Sequence, residues 1–272
     1  MMKIFKKLIE RIYKRSEDKN KVSVRNKEQK KSITLGYCLD DWTLYSNKTL
    51  ITMDISPENN SHLLIVGGSG SGKTYALQEI LARLALAEPE GMFYFCDYKG
   101  DKSFKYLRKT ARYFSYKQTF EILKKVHELA NKRFSGEDTS TEQITLIIDE
   151  YLSFVSSFSV KKEKEDVLRM IAEILQMGRS MGVRLVVCTQ TAYASAFPEG
   201  VRVNFDYIMV LGSFHKATYD MLFGEYDSKI KNKKFNQGEG TALINRNELR
   251  FIKVPTVSDF NRLKDICIRA LQ

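Results

Sequence analysis

Residues 62–75 read HLLIVGGSGSGKTY, an apolar run from Leu63 to Val66 that stops at a glycine-rich loop ending in Lys73 and Thr74. The spacing G-x-x-x-x-G-K-[ST] is met by Gly67, Gly72, Lys73 and Thr74, and Gly68 and Gly70 add residues free to reach positive φ. Such a loop turns successive backbone N–H groups inward around an anion, and the helix expected from Lys73 points its positive end at the same place. Gly67, Gly68, Ser69, Gly70, Ser71, Gly72, Lys73, Thr74 and Tyr75 are therefore read as a nucleotide-binding phosphate loop. Lys73 is expected to reach the β- and γ-phosphates, and the Thr74 hydroxyl to hold Mg²⁺.

Working outward, the apolar pattern after the loop predicts a helix over 73–87, stopped by Pro89-Glu90-Gly91, and then a buried strand, MFYFCD, over 92–97. Strand, long helix and strand make a parallel crossover unit. Residues 116–134 repeat apolar side chains at helical spacing, and His127 within them has no second ligand at metal spacing. A polar loop, 135–143, leads into ITLIIDE (144–150), an apolar strand ending in two acids. Beside a phosphate loop this arrangement assigns Asp149 to Mg²⁺, through water, and Glu150 to polarising the attacking water. An amphipathic helix over 160–181 precedes another buried strand, VRLVVCTQ, whose terminal Gln190 reads either as a sensor of the γ-phosphate or as an amide bonded to nearby backbone. YIMVLG (207–212) is a fifth apolar strand. TALINRNELRFIKVP (241–255) reads as a hairpin turning at Asn245 to Asn247, and a last amphipathic helix covers 258–271.

Ahead of the loop, ITLGYCL, WTLYS and LITMDI are short β-prone runs, which suggest a small β-meander over 32–60 with Trp42 packed inside it. Residues 1–31 differ in kind. They hold 12 Lys or Arg against 4 acids, a net +8 of the chain's +11, so the remainder is close to neutral at +3. Ile4, Phe5, Leu8, Ile9 and Ile12 share one helical face of residues 1–15, which suits an anionic membrane surface, a partner protein or the chain's own domain. Residues 16–31 read as a solvated linker. The expected division is thus a basic helix and linker, 1–31, and one ATPase-sized domain, 32–272.

Composition narrows the function classes. With 43% hydrophobic and 28% charged residues the chain can bury one sizeable core. It contains neither an uninterrupted apolar span of membrane length nor a secretory signal. Cys38, Cys96, Cys188 and Cys267 are far apart, as expected of reduced thiols in a cytoplasmic protein. The basic cluster from Lys229 to Lys234, followed by Phe235, reads as a solvated loop or a phosphate-backbone contact.

Several of these stretches together resemble the motor domain of the FtsK/SpoIIIE DNA translocases, in the wider group that includes HerA. They are ENNSHLLIVGGSGSGKT, FCDYK, LIIDEYLSFV and GRSMGVRLVVCTQ, and the likeness runs from about Ile33 to Pro255. The resemblance implies an α/β, RecA-like P-loop domain with a mainly parallel central sheet, using ATP and Mg²⁺. It also implies a homo-hexameric ring moving along double-stranded DNA. In such rings a neighbouring subunit supplies an arginine to each site; Arg179 is the first candidate and Arg202 the second, although Arg179 equally suits the end of its own helix. Where the family commonly has Arg-Pro after the sensor glutamine, this chain has Thr191-Ala192. The short form looks like FtsK-like proteins of plasmids and conjugative elements. That implies a relaxase or membrane-complex partner and a cytoplasmic location, with any contact to the inner membrane face made by residues 1–15 or by the partner. The competing readings are a nucleotide-binding scaffold, a protein-secretion ATPase of the same group and, less consistent with Glu150, a small-molecule kinase.

Overall fold

The computed structural model describes residues 31–197, 204–214, 216–230 and 233–272. Of the expected N-terminal helix and linker, residues 1–30 lie outside them. Among the described residues no helix is long and apolar enough to cross a membrane.

One ten-stranded sheet organises the rest. Its parallel half follows from the buried apolar runs: β3 (Leu63–Gly67), β4 (Met92–Asp97), β5 (Tyr113–Ser115), β6 (Ile144–Asp149), β7 (Val183–Thr189) and β8 (Tyr207–Leu211). In space they stand in the order β8-β3-β7-β6-β4-β5, every pair parallel. The phosphate-loop strand β3 is therefore flanked by β7 and β8, and β7 separates it from the acid-bearing β6. Parallel strands covered on both faces carry continuous rather than alternating hydrophobicity, as LLIV and ITLII do. Leu63 and Ile65 face the core under α2 (Lys73–Ala87) and the C-terminal helix (Phe260–Ala270). Leu64 and Val66 face the opposite core, under α3 (Gln118–Ser135) and the amphipathic helix Lys161–Met177.

The other half is antiparallel. β9 (Glu239–Ile244) and β10 (Glu248–Lys253) form the expected hairpin, with Asn245 and Arg246 at positive φ in its turn. It extends the sheet from β8 to β1 (Ser32–Cys38) and β2 (Leu50–Asp54), giving the edge order β2-β1-β10-β9-β8.

Two local readings change. WTLYS is helical, not extended: α1 spans Leu39–Tyr45 and connects β1 to β2, so the lead-in has two strands, both belonging to the main sheet. Asp40 and Asp41 in its first turn favour the positive helix end, Thr43 Oγ1 donates to Leu39 O at 2.8 Å, and Ser46 closes it with φ 52°. These local terms outweigh the β preference of Trp42 and Thr43, and Trp42 packs against the Tyr37 ring, centroids 5.2 Å apart. The second addition is a 3-10 segment, Lys102–Leu107, followed by the three-residue strand β5; both are too short for periodicity to reveal. All four cysteines are buried and unpaired, as expected.

Candidate functional site

The site lies at the carboxyl ends of β3, β6 and β7, where a parallel sheet presents its connecting loops. The first turn of α2 follows the phosphate loop directly, with Ala76 N donating to Gly72 O at 2.9 Å. Two glycines are required sterically. A Cβ on Gly67 would collide with Ser71 Oγ, while Gly72 holds φ 95° with its α-carbon face against the Gly238 backbone. Gly238 N donates to Ser71 O at 2.8 Å, so the start of β9 braces the loop from behind. Ser69 and Gly70 are exposed at the loop crest. Among the described residues Ser71 Oγ is buried with no hydrogen-bond partner, a donor aimed into the loop and suited to a phosphate oxygen.

Behind the loop the charges converge. Lys73 Nζ donates to Asp149 Oδ1 at 3.0 Å and to Glu150 Oε1 at 3.3 Å, and all three residues are buried. Burial opposes the lysine's charge, but the two carboxylates overcome it and hold the ammonium above its ordinary range. Burial raises Asp149, with Lys73 pulling against it. Glu150 also feels burial, but Lys99, Lys73 and Gln190 outweigh it, so its carboxyl is held below the usual range. Glu150 sits at φ 56°, a left-handed backbone at the junction between β6 and the short helix α4 (Tyr151–Ser156). That conformation is unusual for a non-glycine residue and turns the side chain back toward the phosphate loop.

Gln190 Nε2 donates to Glu150 Oε1 at 3.0 Å. The amide partner in this bond is thus the Glu150 carboxylate and not backbone. Sequence reasoning missed Lys99, whose Nζ lies 2.7 Å from Glu150 Oε2. The signal was available in FCDYK: a strand beside β6 ending in Asp97 must deliver its next residues to the same edge.

The chain beyond Gln190 is tied to the acid strand, since Tyr151 OH donates to Ala196 O at 2.9 Å. Arg179 lies elsewhere. It is paired with Asp206, which also accepts from Arg246 at 2.7 Å and from His62 N at 2.9 Å, at the amino ends of the strands and away from its own chain's phosphate loop. Arg202 falls outside the described residues. His127 is engaged with Glu173 on the facing helix, and Lys233 of the basic cluster pairs with Asp40 at 3.2 Å.

A cleft of about 870 Å³ opens over the loop, lined by Gly68, Gly72, Lys73 and Thr74 and also by Tyr75, Tyr106, Phe260 and Lys264. Thr74 and Asp149 are the residues that would hold Mg²⁺. Among the described residues no cluster of three or more His, Cys, Asp or Glu could hold a metal.

The FtsK/SpoIIIE family model matches residues 43–134, which include the phosphate loop. A curated relative, the FtsK domain-containing protein YdcQ of Bacillus subtilis, is 25% identical over 198 residues, covering 67% of this chain and 40% of that protein. The chain thus spans well under half of this relative. Among solved structures, the pCW3 conjugation coupling protein TcpA, in its monomer form with ATPγS, aligns with a TM-score of 0.68 at 17% identity, over 88% of this chain and 70% of that one. The cytoplasmic domain of the Thermomonospora curvata type VII secretion ATPase EccC aligns with a TM-score of 0.65 at 19% identity, over 89% of this chain but 31% of that one. The fold is that of the P-loop ATPases, and the matched region and the curated relative both support the resemblance to the FtsK/SpoIIIE family.

Proposed function

We propose that the chain hydrolyses ATP and couples the hydrolysis to movement of double-stranded DNA. The observation that carries the reading is the position of Glu150, buried between Lys73 and Gln190 at the mouth of the phosphate loop. A carboxylate held ionised there is disposed to take a proton from water, and Lys73 and Gln190 flank the place where charge develops on a transferred phosphoryl group. Mg²⁺ on Thr74 and Asp149 would supply neutralisation of the phosphate charge. The match to the FtsK/SpoIIIE family model over residues 43–134, and the likeness to a conjugation coupling protein, support DNA as the moved substrate.

In this reading the chain works as a homo-hexamer. Arg179, removed from its own phosphate loop, is the residue on offer to a neighbour, with Arg202 the alternative. A relaxase or membrane-complex partner would place the ring in plasmid or conjugative transfer, and residues 1–15 are the segment for a membrane or partner contact. The likeness to EccC supports a second reading, an ATPase that moves protein.

Steady-state phosphate release separates them, measured at low salt without nucleic acid, with single-stranded DNA and with linear duplex, using Glu150→Gln as the blank. Strong stimulation by duplex alone is expected. Hydrolysis indifferent to all DNA moves the assignment to protein transport, and no hydrolysis above the blank removes the ATPase reading.

A further inference from the structure

The cleft lining has a chemistry that phosphate binding does not use. Tyr75, immediately after Thr74 on α2, stacks against Phe260 of the C-terminal helix α8 (Phe260–Ala270), with ring centroids 6.1 Å apart and planes within 7°. Lys264, one turn along α8, stands over the Phe260 ring at 4.8 Å and over the Tyr106 ring at 5.7 Å. All four line the cleft.

Packing alone does not require this arrangement. α8 is already seated on α2 by the buried Leu263, Ile266 and Cys267, whose Sγ donates to Gln78 O. Phe260 is 37% exposed and lines the cleft, so part of its ring is open to a ligand there. Its place is also fixed: Tyr75 OH accepts from Val257 N, and Asp259 caps α8 through Arg262 N at 2.9 Å. Three aromatic rings and a cation thus line the same cleft as the phosphate loop.

We infer that Phe260 and Lys264, with Tyr75 and Tyr106, are the nucleobase subsite of this chain, so that the C-terminal helix completes a nucleotide site begun at residue 67. The inference rests on the nucleotide-binding reading above and deepens it. A purine ring satisfies the wall by stacking on the aromatic faces, while the ammonium of Lys264 lies near enough to meet the ring or the α-phosphate. The platform reads a face and not a donor–acceptor edge. The buried amide of Gln78 is turned toward the protein, donating to Thr74 O at 3.2 Å and accepting from Tyr106 OH at 2.9 Å. Adenine and guanine nucleotides are therefore accepted within about threefold of each other, since every base offers a π-face.

The test is calorimetric binding of ATPγS, GTPγS and inorganic tripolyphosphate, each with Mg²⁺, to the full chain. Phe260→Ala is expected to weaken ATPγS and GTPγS about tenfold, the scale of one base–aromatic stack, and to leave tripolyphosphate unchanged. Phe260→Leu, which keeps an apolar contact with Tyr75, should lose the same amount, and Phe260→Tyr should lose little. Equal weakening of tripolyphosphate, or undiminished ATPγS binding in both ring-deleting variants, overturns the inference while leaving the nucleotide-binding reading intact. Failure of the unmutated chain to bind any of the three overturns both.

Discussion

β4 and β6 lie side by side in parallel register, with Asp97 the Cα partner of Asp149, and each strand ends in a buried aspartate. Phe95 and Ile147, two residues earlier, both face the core under α2, so the two carboxylates emerge on the same side of the sheet. Their fates differ because one strand spacing separates them. Asp149 reaches Lys73, whereas Asp97 is consumed locally, accepting from Gly100 N at 2.8 Å and from Tyr113 OH at 2.7 Å. Asp97 thus shapes the 98–101 turn that delivers Lys99 to Glu150. The pair teaches that an acid at a strand end becomes a partner of the phosphate-loop lysine or a local brace according to how many strands separate it from the phosphate-loop strand.

The largest expected effect tests that division directly. Asp149→Asn should lower steady-state phosphate release on the order of 100-fold or more, while Asp97→Ala stays within about tenfold of the unmutated chain. Comparable losses in both would end the distinction. In stability the ranking reverses: Asp97→Ala leaves a tyrosine hydroxyl and a backbone N–H unpaired, and should cost about 1–3 kcal/mol in denaturant unfolding.

Lys99, carried by the turn that Asp97 braces, pairs with Glu150 beside Asp149. Lys99→Ala is expected to reduce kcat by roughly tenfold or less, with KM little changed, because the base stays in place but loses one of its three donors. The acidic limb of the kcat–pH profile should also move to higher pH, since Lys99 is one of the groups holding the Glu150 carboxyl down. A limb that does not move would reduce Lys99 to a surface lysine.

The smallest effect concerns pH and Asp97. Burial raises its folded-state pKa against the pull of Tyr113 and Gly100, so the folded chain holds a proton that the unfolded chain releases. Stability should therefore fall as pH rises from the ordinary carboxylate value through the raised one. Asp97→Asn should flatten that part of the plot of Tm against pH, and an unchanged slope would place the titration elsewhere.

Much of this was legible in the sequence. The phosphate loop announces itself through glycine spacing, and the parallel strands through unbroken apolar runs, because burial on both faces leaves no polar residue to interrupt them. The acid pair at 149–150 was readable for the same reason. What escaped depends on register and through-space pairing. Lys99 and Glu150 meet only because β4 and β6 are neighbours, and the β1–β10 pairing has no local trace. The helix at 39–45 was hidden because β-prone residues sit inside a segment whose first-turn acids and closing Ser46 favour a turn of helix. Arg179 shows the limit from the other side, since its sequence position suggested two roles and the structure adds an Asp206 partner that sequence spacing could not show.

The brace between Gly238 and Ser71 sets the order in which a newly made chain gains competence. The phosphate loop is synthesised early, but the backbone that supports it arrives with β9, and β1 gains its second neighbour only when β10 pairs Lys253 with Tyr37. On the ribosome, the hairpin of β1 and β2 must therefore wait with one edge open, and a grip on nucleotide waits with it. In the proposed reading, nucleotide binding would report that the sheet has closed, and the bound nucleotide would also hold together its last-formed contacts.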